Sequence, residues 1–286
     1  MFLVFFLNCL STFLSLIGFK GILVLSKIIG FISYDILRIR RTVILKNLTI
    51  AFQNEKSENE LNKIGRLSTI HFIRTVLELL AANKLFKKTK VIFKNKPLVD
   101  EAFKKNEGIY AMCIHIGNWE YLCHINSIYF APVHVVVKPI GKGTLAKWIE
   151  NMRASIGYRI IDRKGEKSST TQIFNALEQK EVVGLIVDQK RPRGEILPFF
   201  GKDASTNNSL AKLWLKRNAP VIPVIIKRKA IDTQEIIYFP EFEMIENKEW
   251  TREQNITENT KRMNLMVEKM IKQNPEEYFW MHNRWG

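Results

Sequence analysis

Residues 109–120 read Ile-Tyr-Ala-Met-Cys-Ile-His-Ile-Gly-Asn-Trp-Glu, and this stretch decides the fold. Ile109 to Ile114 is a short, unbroken apolar run, as expected of a strand buried on both faces. Asn118 is a good helix N-cap, and the residues from Asn118 to Tyr129 follow with helical spacing. A buried strand turning directly into a helix is the opening of an α/β unit.

The same alternation continues outward. Strands are expected at Val133–Val137, Tyr158–Ile161, Val182–Val187, Val221–Lys227 and Glu235–Phe239. Helices are expected at Leu61–Ala82, Thr144–Ser155, Thr170–Gln179, Leu210–Arg217 and Asn255–Lys272. The implied fold class is α/β, with a mixed, mostly parallel sheet flanked by helices. No internal repeat or low-complexity linker divides this body, so residues 42–286 form one catalytic-sized domain.

Residues 1–41 are different. Met1 to Phe19 carries no charged side chain, and at about 1.5 Å per helical residue it reaches roughly the thickness of a bilayer's hydrocarbon core. A second apolar stretch, Gly21 to Leu37, follows Lys20 and is interrupted by Lys27 and Asp35; it leads into the basic cluster Arg38, Arg40 and Arg41. A secretory signal peptide needs a basic leader and a small-residue exit, and neither is present. The expectation is an uncleaved membrane anchor, either one spanning helix or two interfacial ones, with the basic residues keeping the body on the cytoplasmic side.

Lys+Arg number 44 against 28 Asp+Glu, a formal charge of +16, which calls for a polyanionic partner. The lysine-rich segment Ala82–Lys96 reads as a solvated face that can press on anionic headgroups. Three cysteines, Cys9, Cys113 and Cys123, with no C-x-x-C pair, exclude a disulfide framework and a cysteine-rich zinc site.

His115 and Glu120 are the sharpest chemical signal. Five helical steps of about 100° would put them on different sides of a regular helix. They can pair only if His115 sits on the strand-to-helix turn and Glu120 in the first helical turn. A carboxylate so placed would fix the imidazole tautomer and leave the other ring nitrogen as a general base. The plainer alternative is a hydrogen-bonded strand-end histidine and a glutamate favoured by the helix dipole. The H-x-x-x-x-E spacing does not match the H-E-x-x-H zinc motif, and no G-x-S-x-G elbow supplies a serine nucleophile. Gly141-Lys142-Gly143-Thr144-Leu145-Ala146, with Asp162 beyond it, mimics a dinucleotide fingerprint, but Pro139 and Ile140 separate strand from glycine.

Motifs spread over most of the chain carry a resemblance. His115 to Glu120 resembles the H-x-G-N-W-E box of the late acyltransferases of lipid A biosynthesis, the lauroyl/myristoyl transferases of Gram-negative bacteria within the lysophospholipid acyltransferase superfamily. Arg153 with Gly157 and Ile161-Asp162-Arg163 resembles the family's arginine-bearing segment. Val183-Gly184 to Asp188-Gln189, Pro198 to Gly201 with Thr206, Ala219 to Pro223, and Pro275 to Trp285 resemble further family segments in the same order. Lys138-Pro139 departs from the family's Arg-Pro.

The resemblance implies transfer of a fatty acyl chain from acyl–acyl carrier protein to a hydroxyl of a lipid A precursor such as Kdo-lipid IVA, at an anionic inner membrane, with no metal or cofactor. On that reading His115 is the base and Glu120 its orienter. Arg153 is the first choice for the oxyanion donor, with Arg163 and the backbone N–H groups of Gly117 and Asn118 as rivals. Asp188 organises an arginine or the histidine's surroundings. Three alternatives remain at this stage: a sibling acyltransferase with another glycolipid or phosphoglycerol acceptor, a membrane-tethered nucleic-acid-binding protein, and a nucleotide-dependent oxidoreductase.

Overall fold

A computed structural model describes residues 2–53, 55–137, 140–161, 168–192 and 194–286. Its centre is a seven-stranded sheet in the order β1-β9-β8-β2-β5-β3-β4. The strands are β1 (Lys90–Lys94), β2 (Ile109–Cys113), β3 (Val133–Val135), β4 (Arg159–Ile160), β5 (Val182–Ile186), β8 (Val221–Arg228) and β9 (Thr233–Tyr238). Only β8 and β9 pair antiparallel; the other neighbours run parallel. The expected mixed, mostly parallel sheet is what forms.

The central strands β2, β5 and β8 are buried nearly throughout, because helices cover both faces. One face packs the carboxyl end of α3 (Glu58–Leu80) with α4 (Ala82–Leu85), α5 (Lys96–Lys104), α6 (Trp119–Tyr129) and α7 (Gly143–Ser155); the other packs the amino end of α3 with α2 (Arg41–Phe52), α8 (Ser169–Glu178), α9 (Ser209–Trp214) and α10 (Arg252–Lys272) around a core that includes Tyr110, Phe199, Met270 and Trp280. Ser57 and Thr251 start α3 and α10 with complete capping boxes, which satisfies otherwise orphaned N–H groups at each end.

Two elements differ from the sequence reading. Part of the lysine-rich segment forms β1, an outermost strand whose lysines guard an otherwise unpaired edge. Residues 195–206 form an antiparallel hairpin, β6 (Glu195–Phe199) and β7 (Lys202–Thr206), turning through Phe200 and Gly201, both with positive φ.

The amino terminus is a long apolar helix, α1 (Phe2–Phe31), continued as one apolar stretch to Ile36 and kinked at Gly18. By length and composition it can cross a membrane. One face is pinned to the body: Leu14, Phe19 and Ile22 pack with Leu77, Ala81 and Leu85, and Asn8 accepts a bond from the Trp148 indole at 2.9 Å. Its opposite face leaves Phe6, Phe13, Leu16, Val24, Ile28 and Phe31 exposed.

Candidate active site

The parallel register of β2 and β5 builds the site. Ile109 pairs with Val182 and Cys113 with Ile186. Continuing two residues beyond each strand brings His115 beside Asp188. The His115 Nδ1 lies 2.9 Å from Asp188 Oδ1, and the His115 backbone N–H donates to Oδ2 at 3.2 Å. Both sit at the carboxyl edge of parallel strands, where open α/β sheets gather their ligands.

Asp188 is buried. Burial pushes its pKa up, but the attraction of His115 and the hydrogen bonds it receives outweigh this and hold it below the usual range. An ionised Asp188 accepts from Nδ1–H, so the lone pair of His115 falls on Nε2. The Gln189 side-chain nitrogen is 3.4 Å from that Nε2. Trp119 stands edge-on to the imidazole with ring centres 5.2 Å apart, and Phe279 is 6.0 Å away.

The expected pairing of His115 with Glu120 does not form. Glu120 is buried on the far side of α6, where Arg153 holds it through Nη2 at 2.5 Å and Nε at 3.0 Å, and the Tyr158 hydroxyl donates to it at 3.0 Å. The cause is helical geometry: His115 stays on the strand side of the turn, while the first turn of α6 carries Glu120 toward α7.

Of the donors expected for an oxyanion, Arg153 and the Gly117 N–H have partners within the fold. Arg153 is buried against Glu120. The Gly117 N–H donates to the Glu277 carbonyl at 3.1 Å. Asn118 is wholly buried, its side chain capping α6 through the Tyr121 N–H at 3.1 Å. Arg163, like Asp162 of the dinucleotide-like pattern, lies outside the described residues.

Beneath this turn lies a buried ionic network that the sequence reading missed. Glu78 accepts from Arg74 at 2.7 Å, Arg228 at 3.0 Å and Asn118 at 2.7 Å. Arg228 also reaches Thr75 at 2.8 Å and Glu277 at 3.3 Å, and Thr75 donates to the Gly117 carbonyl at 3.0 Å. Two arginines balance two carboxylates, and three links tie the network to the turn, from Asn118 to Glu78, from Thr75 to the Gly117 carbonyl and from the Gly117 N–H to the Glu277 carbonyl, while Arg74 also donates to the Ile231 carbonyl at 2.6 Å. Burial, followed by the two arginines, drives the pKa of His71 well below its ordinary value, so the histidine adds no charge. The available signal was Arg74 and Glu78, one turn apart on the apolar face of α3.

Gly117 cannot be replaced without moving backbone. Its φ is +62°, and a Cβ there would sit 2.0 Å from the Ile226 carbonyl oxygen. Among the described residues no cluster of three His, Cys, Asp or Glu side chains could hold a metal ion.

Fold and site together define an α/β protein with an apolar amino-terminal helix and a histidine–carboxylate pair at the carboxyl edge of its parallel strands. The sequence profile described as bacterial lipid A biosynthesis acyltransferase matches residues 1–286, the whole chain. The chain belongs to that family and is an acyltransferase of lipid A biosynthesis. No curated protein sequence matches it.

Proposed function

We propose that the protein transfers a fatty acyl chain from acyl–acyl carrier protein to a hydroxyl of a lipid A precursor such as Kdo-lipid IVA, with His115 as general base oriented by Asp188. Nε2 takes the proton as the acceptor oxygen attacks the thioester carbonyl. The tetrahedral oxyanion then collapses, the carbon–sulfur bond breaks, and imidazolium returns the proton to the leaving thiolate. Asp188 holds the tautomer and stabilises imidazolium. Gln189, beside Nε2 and partly exposed, supplies an amide N–H to the oxyanion.

The observation that carries this reading is the 2.9 Å His115–Asp188 contact in a member of this acyltransferase family. Glu120 takes the role of a buried counter-ion for Arg153 that fixes α6 against α7. Residues 1–41 anchor residues 42–286 at the inner membrane, with the body on its cytoplasmic side. The excess positive charge speeds encounter with an acidic carrier protein and an anionic lipid surface, an effect that weakens with salt.

The test is transfer of labelled acyl chain from acyl–acyl carrier protein to Kdo-lipid IVA, using membranes that hold the wild type, His115→Ala or Asp188→Asn. Robust wild-type transfer lost in both folded variants supports the assignment. Transfer that persists in His115→Ala overturns the mechanism.

A further inference from the structure

The amino-terminal helix touches the body along most of its length. Near its start Leu7 is buried in the core that holds Trp148, and Asn8 takes the bond from the Trp148 indole. At its middle Leu14, Phe19 and Ile22 pack on Leu77, Ala81 and Leu85, where α3 passes into α4. At its far end Gly30 lies so close to α3 that a Cβ there would stand 2.5 Å from Ile70 Cγ1. A helix fastened in this way carries the flanks of α3, α4 and α7 to whatever depth it reaches in a bilayer.

The charges along it oppose a crossing. A span needs about 20 residues. Lys20 and Lys27 of the helix are exposed, and Lys84 of α4, also exposed, donates to the Thr12 hydroxyl at 3.1 Å. Every window of about 20 residues between Phe2 and Ile36 therefore has Thr12, Lys20 or Lys27 within one helical turn of its centre. Each crossing sets an ammonium near the bilayer midplane, where it is strongly disfavoured.

The lateral pattern suits a surface. At about 100° per residue, buried Phe19, Ile22, Ser26 and Gly30 face the body, exposed Val24, Ile28 and Phe31 lie opposite, and Lys20 and Lys27 fall between the two. In the first half, Phe5, Phe6, Phe13 and Leu16 stand exposed opposite buried Leu7, Ser11 and Leu14. The exposed row continues through Ile36 and Leu37 and ends at Arg38. Lysines at the edge of an apolar stripe lying flat reach the headgroups with their own side chains.

We propose that residues 2–37 lie in the plane of the membrane and enter one leaflet only: acyl chains cover the exposed row, Lys20, Lys27, Lys84 and Arg38 meet anionic headgroups, and both ends of α1 stay on the side that holds the body. A second copy seated on this row would set the same cations against each other, whereas an anionic leaflet neutralises them. The placement rests on the reading of residues 1–41 as the membrane anchor and is independent of the acyl-transfer chemistry.

The test is the topology and depth of the full chain. Tags cleavable by one protease are placed before Met1 and after Gly286, and the protease is added to intact spheroplasts and to inverted inner-membrane vesicles. Both tags should survive in spheroplasts and both should be cut in inverted vesicles. An amino-terminal tag cut in spheroplasts while the other survives would overturn the placement. Depth is read in vesicles of phosphatidylethanolamine and phosphatidylglycerol, from fluorophores on Phe6→Cys, Phe13→Cys and Phe31→Cys, each in a Cys9→Ser background, quenched by brominated lipids. All three positions are exposed, and unchanged melting curves would verify the fold. The labels should share one depth, about 5–10 Å below the headgroups. Phe6 and Phe31 are about 38 Å apart along the helix, so widely different depths would mean a crossing and overturn the placement. The two readings fail separately. A chain that does not float with these vesicles refutes the anchor and this placement with it, and a chain that floats but shows its amino end on the far face refutes the placement alone.

Discussion

The two ends of the H-x-x-x-x-E box each meet a partner of opposite character, His115 the carboxylate of Asp188 and Glu120 the guanidinium of Arg153, and the two pairs are opposites in space. On the strand side, His115 faces Asp188 through Nδ1 and keeps Nε2 beside the partly exposed Gln189 side chain. On the helix side, Glu120 is enclosed by Arg153 and Tyr158, all three buried. A charged pair with an open edge can exchange a proton with a ligand; a fully enclosed one can only hold structure. Desolvation makes the second pair a poor source of net stability but an expensive one to break.

The largest expected effect breaks the strand-side pair. His115→Ala and Asp188→Asn should each lower kcat by about 10²–10⁴ while leaving the melting temperature within a few degrees. Asp188→Asn keeps the size of the side chain but accepts less strongly from Nδ1–H, so its loss appears in kcat and in the pH–rate profile, with little change in KM. A profile identical to wild type in Asp188→Asn would make Asp188 a spectator.

Glu120→Ala should act through the fold. Removing one partner leaves the Arg153 charge buried and uncompensated, a cost of about 3–5 kcal/mol that denaturant melts of the detergent-solubilised protein would read. Glu120→Gln with Arg153→Met, which removes both charges, should recover most of that stability and with it the activity. Recovered stability with activity still absent would move Glu120 into the chemistry and erase the distinction between the two sides.

Gly117→Ala should be smaller but should couple the two sides. The left-handed φ and the clash with the Ile226 carbonyl together cost about 2–3 kcal/mol. The turn would have to shift, so kcat should fall more than the stability loss explains. An Ala variant with wild-type kcat would show that the turn tolerates displacement.

Much of this arrangement was legible in the sequence, and the parts that were not share a cause. The strands at 109–114 and 182–187 announce themselves as apolar runs, and the polar residue ending each is visible as His115 and Asp188. What one sequence does not carry is the register between strands far apart in the chain, and it is register that places Asp188 on His115 and removes Glu120. The same holds for Arg228, Glu78 and Glu277, which lie on three separate elements and meet only once the sheet is covered. The hairpin at 195–206 was hidden because Pro198 and a solvent-facing Ile196 blur its alternation. By contrast α1 was plain from composition, although its docking along α3 depends on a face pattern that a uniformly apolar run conceals.

A last and smaller effect sharpens the contrast by pH. One turn beyond Glu120, on the enclosed side of α6, His124 packs edge-on to Phe86, and its Nδ1 is buried with no hydrogen-bond partner among the described residues. Burial lowers its pKa to about 4, against about 6.5 in the unfolded chain. A depressed pKa means that the folded state resists protonation. The contribution is fully present above pH about 6.5 and is lost as the pH falls toward 4. The unscreened linkage would be about 3 kcal/mol, and His124 is only partly buried, so about 1–2 kcal/mol is expected. Thermal melts of wild type and His124→Gln between pH 7 and pH 4.5 should therefore converge at the acid end, with the variant showing the shallower slope. Because His124 touches neither His115 nor Asp188, the pH–rate profile of the variant should keep its wild-type shape. A changed profile would mean that the enclosed side of the helix reports to the open side, and the division between them would have to be redrawn.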